Sequence, residues 1–364
     1  MAGLGVNPAA WRGRRVLLTG HTGFKGSWLA LWLHALGAEI VGYALPPEGE
    51  RSLFGLARVD DVLTSIEADV RDTERLARVL DERQPEVVLH LAAQALVRAS
   101  YREPLETYAT NVMGTANLLE VVRRSATPPR AVVVVTSDKC YLNRETQRPY
   151  REDDAMGGAD PYSSSKGCAE LVTAAYHRTY FDPAHVDQHG VVVSSARAGN
   201  VIGGGDWSAD RLVVDVMAAY LRGEPPLIRN PRSVRPWQFV LEPLSGYLQL
   251  AERASADPVT FADGWNFGPE LEDCQPVEWL VERIDAAWGG GIGWRLDERP
   301  GAHEAKLLRL DATKARTVLG WQPRLDLARA LDWTVAWYKA HQAGDDMRAL
   351  TLAQIERHAA LEPA

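Results

Sequence analysis

The chain has few cysteines and no excess of basic residues. Its 364 residues include three cysteines, Cys140, Cys168 and Cys274, which lie far apart and show no metal-ligand spacing. A sparse, odd set of cysteines predicts a reducing compartment, here the cytoplasm, and no metal site. Acidic residues outnumber basic ones by 48 to 40, and the formal net charge is -8. We therefore expect no nucleic-acid partner, because such a partner requires a basic face.

Long apolar runs are missing as well. No stretch approaches the roughly 20 apolar residues that a membrane-spanning helix needs, so we expect no membrane segment. The first residues lack a basic region followed by an apolar core, so we expect no signal peptide. Hydrophobic residues make up 46% of the chain and charged residues 24%. This composition is typical of a globular protein, and the length predicts a large core with two subdomains.

A glycine-rich turn follows the first predicted strand. The apolar segment 15–18 leads into Thr19-Gly-His-Thr-Gly-Phe-Lys-Gly26, and an apolar helix is predicted over 27–36. Glycine lets the backbone approach a pyrophosphate, and the helix N-terminus supplies N–H donors and a positive dipole. A Gly-x-x-Gly-x-x-Gly motif at a strand-to-helix turn therefore predicts a dinucleotide site. The expected contacts are Gly20, Thr22, Gly23, Phe24, Lys25 and Gly26.

Predicted strands alternate with predicted helices through the first half of the chain. Further strands are expected at 39–44, within 65–72, at 86–94, at 131–135 and at 190–197, and helices over 101–124 and 161–180. This alternation predicts an α/β fold with a Rossmann-type doubly wound parallel sheet and a smaller α/β substrate-binding domain. The predicted boundaries are 1–197 for the cofactor domain with a returning segment at about 236–258, 198–235 and 259–345 for the substrate domain, and 346–364 for a helical tail.

The second predicted strand ends without an acidic residue. An acid at this place bonds the adenosine ribose in many NAD sites, but here Ala44 is followed by Leu-Pro-Pro. A basic cluster for a 2′-phosphate is absent too, although Arg51 is close, so NAD is the expected cofactor. Asp69 follows the third strand, where it is placed to bond the adenine amine, to cap a helix, or both. The other expected cofactor contacts are Val70, Leu91, Ala92, Ala93 and Asn111.

Polar and reactive residues follow the fifth predicted strand. Thr136-Ser-Asp-Lys-Cys-Tyr141 stands where that strand ends, and Pro161-Tyr-Ser-Ser-Ser-Lys166 opens a helix. Tyr162 and Lys166 are four residues apart and share one helix face. A nearby ammonium lowers the pKa of a Tyr, which can then take a proton from a sugar hydroxyl that Ser137 holds. A surface Tyr beside a solvated Lys is the alternative, but the glycine loop and the polar strand end favour catalysis.

These motifs together resemble the extended short-chain dehydrogenase/reductase superfamily. The resemblance spans about residues 11–338 and includes Asn200–Trp207 and Arg235–Val240. Within the superfamily the pattern is most similar to the NAD-dependent epimerase/dehydratase family, and there to the 4,6-dehydratases that act on CDP-glucose. The resemblance implies a homodimeric hydro-lyase of deoxysugar biosynthesis. NAD oxidises C4, water is eliminated across C5 and C6, and the hydride returns to C6, which gives CDP-4-dehydro-6-deoxyglucose.

The resemblance also implies roles for individual residues. Tyr162 is the base at the C4 hydroxyl, Lys166 tunes it and bonds the nicotinamide ribose, and Ser137 positions the hydroxyl. Asp138 stands where related dTDP-glucose dehydratases carry the acid that protonates the leaving C6 hydroxyl. Lys139 stands where those relatives carry a Glu that removes the C5 proton, so the identity of this base stays open. The expected substrate contacts are Gln94, Ser137, Asn200, Arg211, Arg235 and His303.

Two other functions stay open at this point. One is a different enzyme on the same scaffold, either a 4-epimerase or a dehydratase of dTDP-glucose or UDP-N-acetylglucosamine. The Asp138-Lys139 pair argues against an epimerase, because epimerases lack an acid/base pair after the Ser or Thr. The other is a non-catalytic NAD-binding sensor or scaffold, but such proteins usually lose the Tyr or the Lys. Fold analogy alone would not separate these functions.

Overall fold

The computed structural model of the chain describes residues 5–47, 49, 51–298 and 307–362. Twelve strands occur in this part of the chain. In chain order, β1 to β12 are Arg15–Thr19, Glu39–Ala44, Thr64–Glu67, Val87–His90, Ala131–Val135, Val192–Ala198, Asn200–Ile202, Leu227–Ile228, Val234–Phe239, Gly264–Phe267, Cys274–Pro276 and Arg295–Leu296.

Seven of these strands form one sheet in the order β3-β2-β1-β4-β5-β6-β10. Every neighbouring pair in it is parallel. The run Ala131–Val135 is buried at every position because helices cover both faces of the sheet. The strand order reverses between β1 and β4, and the carboxyl ends beside such a reversal are where open α/β sheets bind ligands. The predicted parallel, doubly wound sheet is confirmed.

Fifteen α-helices occur in the described residues. In chain order, α1 to α15 are Pro8–Trp11, Phe24–Ala35, Leu53–Leu56, Thr73–Arg83, Val97–Arg102, Pro104–Tyr108, Gly114–Arg124, Pro161–Tyr180, Val186–His189, Leu212–Leu221, Leu241–Ala256, Pro258–Phe261, Val277–Trp288, Leu327–Ala343 and Met347–Ala359. Short 3₁₀ turns span Val59–Val62, Asp138–Cys140, Pro183–His185 and Leu271–Asp273, and π turns span Ala109–Met113 and Ala315–Leu319.

Two hydrophobic clusters cover the two faces of the large sheet. One joins α2, α11, α14 and α15 to β1, β5 and β6, and the other joins α4 and α7 to the opposite face. Trp28, Trp321 and Trp337 are fully buried in the first cluster. The last helix, α15, begins after the capping residue Asp346 and packs against α2 and α14. Burial of this apolar surface is the main stabilising contribution to the fold.

Two smaller sheets lie beyond the large one. In the first, β9 pairs with β7 in parallel and with β11 in antiparallel orientation, and in the second, β8 pairs with β12. The segment 236–258, which was predicted to return to the cofactor domain, contributes to both the three-stranded sheet and the large sheet. Its strand belongs to the three-stranded sheet, whereas α11 packs against β5 and β6 of the large sheet. The predicted domain boundaries stay a prediction.

The long helix predicted over 101–124 is wrong. The structure has three helices, α5, α6 and α7, with a π turn between the last two. Pro104 is the physical reason for the first interruption, because proline disfavours helical backbone in the preceding residue. Glu103 accordingly has φ -127° and ψ 66°, and Pro104 begins the next helix at a position where its missing N–H costs nothing.

Candidate active site

The glycine loop lies between the carboxyl end of β1 and the start of α2. Gly20 has a positive φ of 76°, and a Cβ there would lie 2.7 Å from the backbone nitrogen of Ala92. A Cβ on Gly26 would lie 2.0 Å from the carbonyl oxygen of Gly20. Gly23 caps α2 without a side-chain hydrogen bond, so no side chain of the cap covers the first-turn N–H groups. Gly20 and Gly26 thus fold the loop tightly, and Gly23 leaves the helix terminus open to an anion.

Ser137, Asp138 and Lys139 form a tight turn directly after β5. The hydroxyl of Ser137 donates to Oδ1 of Asp138 at 3.0 Å and accepts from the backbone N–H of Lys139 at 3.2 Å. Asp138 is fully buried, and its Oδ2 has no hydrogen-bond partner among the described residues. Nζ of Lys139 lies 4.0 Å from Oδ1 of Asp138, and the Lys139 side chain is 32% exposed. The turn therefore presents a buried carboxylate with one oxygen available.

Tyr162 and Lys166 stand in the first turns of α8. Asp160 caps this helix by accepting from the N–H of Ser163, and Pro161 occupies the first helical position. Both functional side chains are buried. The ammonium of Lys166 donates to the carbonyl oxygen of Val135 at 3.4 Å, which ties it to the end of β5. Helix α8 thus positions Tyr162 and Lys166 beside the turn that carries Ser137.

The expected lowering of the Tyr162 pKa is not what the structure shows. Burial raises the pKa of Tyr162 to about 12, although hydrogen bonding with Ser137 acts in the opposite direction. Burial also lowers the pKa of Lys166 to about 8, while the charge of Glu170 raises it. Spacing along the helix correctly places the two groups on one face, but it does not reveal how strongly burial disfavours both charged forms.

Lys25 of the glycine loop also faces this centre. Burial lowers the pKa of Lys25 to about 7, the positive charges of Arg211 and Lys166 add to that effect, and Asp138 and Asp206 oppose it. The Lys25 ammonium lies 5.9 Å from the centre of the Tyr247 ring. The glycine loop, the strand-end turn and the start of α8 therefore converge on one place.

The expected adenosine-side residue, Asp69, is already paired with a neighbour. Arg71 donates to both carboxylate oxygens of Asp69 and also binds Glu106. These contacts, above all the side-chain hydrogen bonds, lower the pKa of Asp69. Asp69 lies at the surface between β3 and α4 and does not cap α4, a role that Asp72 fills. The other expected cofactor residues, Val70, Leu91, Ala92 and Ala93, follow the carboxyl ends of β3 and β4.

Asn111 and Gln94 hold the loop after β4. The Asn111 side chain accepts from the Gln94 N–H at 2.8 Å and donates to the Gln94 carbonyl at 3.0 Å and to Ser165 at 2.8 Å. The Gln94 amide itself donates to Thr107 at 2.8 Å and accepts from the N–H of Leu96. Both side chains thus have internal partners that bind this loop to α8.

The expected substrate residues lie in two places. Arg211, just before α10, donates to Asp206 at 2.7 Å, and its charge reaches both Tyr162 and Lys25. Asn200 and Arg235 belong to the three-stranded sheet, where Asn200 pairs with Trp237. Arg235 donates to the carbonyl of Val234 at 2.9 Å. His303 lies outside the described residues.

Two features of the site were not predicted from the sequence. A buried ion pair joins Glu170 of α8 to Arg197 of β6 at 2.8 Å, directly behind the catalytic turn. Tyr247 of α11 is fully buried, and its hydroxyl has no hydrogen-bond partner among the described residues. The spacing of Lys166 and Glu170, four residues apart on α8, is a signal for the first feature. The sequence holds no local signal for the second, because α11 lies far along the chain.

Metal ligands and membrane spans were also sought in the described residues. Within these ranges no three His, Cys, Asp or Glu side chains form a group that could hold a metal ion. The helices described here include none whose length and hydropathy would allow it to cross a membrane. The three cysteines are unpaired.

This sheet, its glycine loop and the Tyr–Lys pair beside a polar strand end define an extended short-chain dehydrogenase/reductase. A family model described as GDP-mannose 4,6 dehydratase matches residues 17–333. The chain is 52% identical over 337 residues to the CDP-glucose 4,6-dehydratase of Salmonella typhimurium. The matched region spans 93% of this chain and 94% of that protein. The chain therefore belongs to the GDP-mannose 4,6-dehydratase family. Its predicted membership of the extended short-chain dehydrogenase/reductase superfamily is confirmed.

More distant relatives and solved structures share the same fold. A UDP-glucose 4-epimerase of Mycolicibacterium smegmatis is 29% identical over 89% of this chain and 98% of its own length. The dTDP-glucose 4,6-dehydratase of Streptomyces venezuelae, solved with NAD bound, superposes with a TM-score of 0.77 at 25% identity over 91% of this chain and 99% of that one. The UDP-glucose 4-epimerase of Thermotoga maritima superposes with a TM-score of 0.78 at 24% identity, and the superposition covers 90% of this chain and 99% of that one.

Proposed function

We propose that this protein is a CDP-glucose 4,6-dehydratase, which converts CDP-glucose into CDP-4-dehydro-6-deoxyglucose and water. The observation that carries the proposal is the buried carboxylate of Asp138 beside the Tyr162–Lys166 pair. A simple dehydrogenase needs the Tyr–Lys pair alone, whereas an elimination also needs an acid for the leaving hydroxyl. The 52% identity to a CDP-glucose 4,6-dehydratase supports the choice of nucleotide.

The residues present fit NAD as the cofactor. The close approach of Gly20 and Gly26 and the open N-terminus of α2 suit a pyrophosphate. Asp69 would hold the adenosine end of NAD and Lys166 the nicotinamide ribose, while Asn111 ties the loop after β4 to α8. NAD, when bound, supplies a hydride acceptor for C4 and a hydride donor for C6. The related dehydratase structure that contains NAD supports this assignment.

At C4, the Tyr162 phenolate takes the hydroxyl proton and Ser137 orients that hydroxyl. Because burial keeps the pKa of Tyr162 high, its phenolate needs a stabilising positive charge. Lys166 supplies it: with a pKa of about 8, its ammonium is the major form at neutral pH. The carbonyl oxygen of Val135 holds the ammonium near the Tyr–Ser pair.

At C5 and C6, Asp138 acts as the acid and Lys139 as the base. Asp138 has one oxygen free of protein partners, from which it gives a proton to the leaving C6 oxygen. Among the described residues Lys139 is the cationic side chain nearest to Asp138. Because it is partly exposed, it can give its own proton to water and then take the C5 proton as a neutral amine. The alternative is that Lys139 only binds the sugar while another group removes the C5 proton.

A Lys139→Met variant separates these two roles of Lys139. If Lys139 is the base, the variant still oxidises C4 in a single turnover, but it neither exchanges the C5 proton for deuterium nor releases water. Arg144→Met, which removes a cation from the loop beyond the turn, is the matched control and should behave like the wild type. Dehydration by Lys139→Met at a rate near that of the wild type would exclude the role as base.

A charged cleft next to Arg211 is the proposed place for the nucleotide. It lies between the residue pair Arg98–Asp210, helix α10 and the strand pair β8–β12. Its arginines suit a diphosphate, because a guanidinium makes paired, charge-assisted bonds to phosphate oxygens. The charged lining residues are Arg98, Asp210, Asp215, Arg222, Glu224, Arg229, Arg295 and Asp297.

The decisive experiment incubates the protein and NAD with CDP-glucose, dTDP-glucose, UDP-N-acetylglucosamine or GDP-mannose. We expect mass spectrometry to show loss of one water from CDP-glucose, without net formation of NADH. Loss of water from another nucleotide sugar alone would change the substrate but keep the reaction. Stoichiometric NADH or a 4-epimer as the product would contradict the proposed reaction, and binding of NAD without any turnover would indicate a sensor.

We also propose a homodimer in the cytoplasm. Helices α6 and α8 and the π turn that follows α6 carry exposed apolar side chains, including Leu105, Met113 and Leu171. Such a surface favours burial against a second copy around a two-fold axis. The unpaired state of the three cysteines suits a reducing compartment. A monomeric mass by light scattering at micromolar concentration would contradict the dimer, and activity confined to a membrane or secreted fraction would contradict the compartment.

A further inference from the structure

The proposed nucleotide cleft follows one face of helix α10. Asp215, Ala218, Ala219 and Arg222 all line it, and their spacing of three or four residues places them on one side of the helix. The cleft has a volume of about 1060 Å³, which is large enough for a nucleotide. Its other walls include the turn after α10 and the strand pair β8–β12. A ligand in this cleft therefore lies along α10.

One end of the cleft lies near the catalytic helix. Arg98 and Asp210, which form an ion pair at 2.5 Å, line the cleft where α10 begins. Ser100, two residues after Arg98, accepts a hydrogen bond from the backbone N–H of Tyr162 at 3.1 Å. A sugar beside Tyr162 thus lies at the Arg98 end, and the rest of the nucleotide extends from there along α10. Asp215 stands in the first turn of that helix.

The cleft combines apolar surface with hydrogen-bond donors, which suits a flat nucleobase. Small side chains on α10 leave room for a ring, and the chain after the helix adds apolar groups; the residues concerned are Ala218, Ala219, Pro225, Pro226 and Leu227. Leu227 is 54% exposed, so it keeps apolar surface for a ligand to cover. Arg295 pairs with Leu227 across the two strands, and Arg229 directly follows β8. Two arginines therefore adjoin this apolar surface.

Asp215 differs from its acidic neighbours in the cleft. Asp210 is paired with Arg98 and Glu224 with Arg222, whereas Asp215 forms no ion pair with any described residue. Burial and the charge of Asp210 raise the pKa of Asp215 to about 6, against the charge of Arg98 and a hydrogen bond with the backbone of Asp210. At pH 7 the carboxylate is therefore mostly ionised. Because a carboxylate has about four acceptor positions, it can accept further hydrogen bonds.

We propose that Asp215 selects cytosine by accepting a hydrogen bond from the exocyclic amine of the base, an inference that deepens the proposed function and rests on it. Cytosine carries an amine donor at C4, whereas uracil and thymine carry an oxygen acceptor at the same position. A carboxylate attracts the first group and repels the second. Asp215 is thus a specificity-determining residue for the nucleotide and takes no part in the chemistry at C4, C5 or C6 of the sugar.

The test is an Asp215→Ala variant, in which calorimetry measures the dissociation constants of CDP and UDP with NAD at saturation. We expect the wild type to bind CDP about 10- to 100-fold more tightly than UDP, and the variant to bind the two within about threefold of each other. CDP binding should weaken, while UDP binding should stay the same or improve because the repulsion is removed. Asp215→Asn should also reduce the ratio, because its amide adds a donor that suits uracil.

Glu282→Ala is the matched control. It removes an exposed acid of α13 outside the cleft, and it should keep the wild-type ratio of CDP to UDP binding. Equal weakening of CDP and UDP by Asp215→Ala would overturn the proposal, because that is the behaviour of a general structural residue. An unchanged ratio in Asp215→Ala would do the same. Tighter binding of GDP than of CDP, lost in Asp215→Ala, would assign guanine as the base and overturn the choice of cytosine.

Failure of the proposed function gives a different result from failure of this inference, because nucleotide binding is measured without turnover. A wild-type protein that releases water from none of the tested nucleotide sugars contradicts the dehydratase function, whatever the binding ratio. A wild-type protein that dehydrates CDP-glucose, with an Asp215→Ala variant that still prefers CDP to UDP by the full ratio, contradicts the role of Asp215 alone.

Discussion

Two buried clusters of charged and polar groups lie on opposite sides of the catalytic turn, and they differ in how completely they are bonded. Behind the turn, both carboxylate oxygens of Glu170 accept hydrogen bonds, from Thr136, Ser195 and Arg197. Both terminal nitrogens of Arg197 donate, the second one to Tyr141 and to the carbonyl of Glu152, and of its nitrogens only Nε lacks a partner among the described residues. In the turn itself, Oδ2 of Asp138 has no partner within the described part of the chain, and neither has the hydroxyl of Tyr247 on α11.

This difference separates groups that hold the fold from groups that await a ligand. The Glu170–Arg197 pair joins α8 to β6 and, through Thr136, to the end of β5. It therefore fixes the helix that carries Tyr162 relative to the turn that carries Asp138. The unbonded atoms of Asp138 and Tyr247 do not hold structural elements together, and their burial without a hydrogen bond lowers stability. We therefore expect stability to depend chiefly on the Glu170–Arg197 pair and the proposed reaction on Asp138.

The largest effect that we expect on stability comes from breaking the bonded cluster. Arg197→Met leaves the buried carboxylate of Glu170 without its counter-charge, and loss of one partner of a buried ion pair costs about 3–5 kcal/mol. Urea or thermal unfolding measures the loss. Arg222→Met, from an exposed pair with Glu224, is the control and should cost less than about 1 kcal/mol. Equal losses in the two variants would contradict the distinction between the clusters.

Removal of the acid of the unbonded cluster should slow the reaction without lowering stability. Asp138→Asn should slow water release by about 10²- to 10⁴-fold, because the amide cannot donate an acidic proton. Its unfolding free energy should not fall, since Oδ2 of Asp138 has no bond to lose. Rates come from single-turnover mass spectrometry and stability from urea unfolding. A large loss of stability with an unchanged rate would show that Asp138 belongs to the structural cluster.

The half-buried acid Glu252 should make stability depend on pH. Burial raises the pKa of Glu252 from its ordinary 4.5 to about 7, although Trp11 and the N–H of Asn7 donate to it. Between these pH values the folded chain binds more protons than the unfolded chain, so stability falls as the pH rises from about 4.5 to 7. The contribution is at most about 3 kcal/mol. In Glu252→Gln this part of the pH dependence should vanish in unfolding curves recorded from pH 5 to 8.

The smallest effect is expected for an exposed pair. Arg71→Gln removes the bonds to Asp69 and Glu106, but the Arg71 side chain is 36% exposed and water replaces those bonds. Exposed ion pairs contribute about 0–1 kcal/mol, so the thermal midpoint should move little. A loss comparable to that of Arg197→Met would mean that burial does not decide which pairs stabilise this protein.

Local sequence patterns predicted the parts of the site that neighbouring residues build. The glycine spacing at the end of β1, the turn after β5 and the Tyr162–Lys166 pair each depend on a few adjacent residues. The parallel sheet followed from alternation of apolar strands and helices. The predicted helix over 101–124 failed at Pro104, where a local signal for interruption was present but received too little weight.

The sequence by itself determined the glycine loop, the parallel sheet and the helix face shared by Tyr162 and Lys166, because backbone geometry and spacing within one element decide these features. Only the tertiary structure decided the pairing of Glu170 with Arg197 and the burial of Tyr247, whose hydroxyl has no partner among the described residues, since both depend on elements far apart in the chain. Burial, too, is a property of the folded chain. It raises the pKa of Tyr162 where the neighbouring Lys166 alone predicted a lower value.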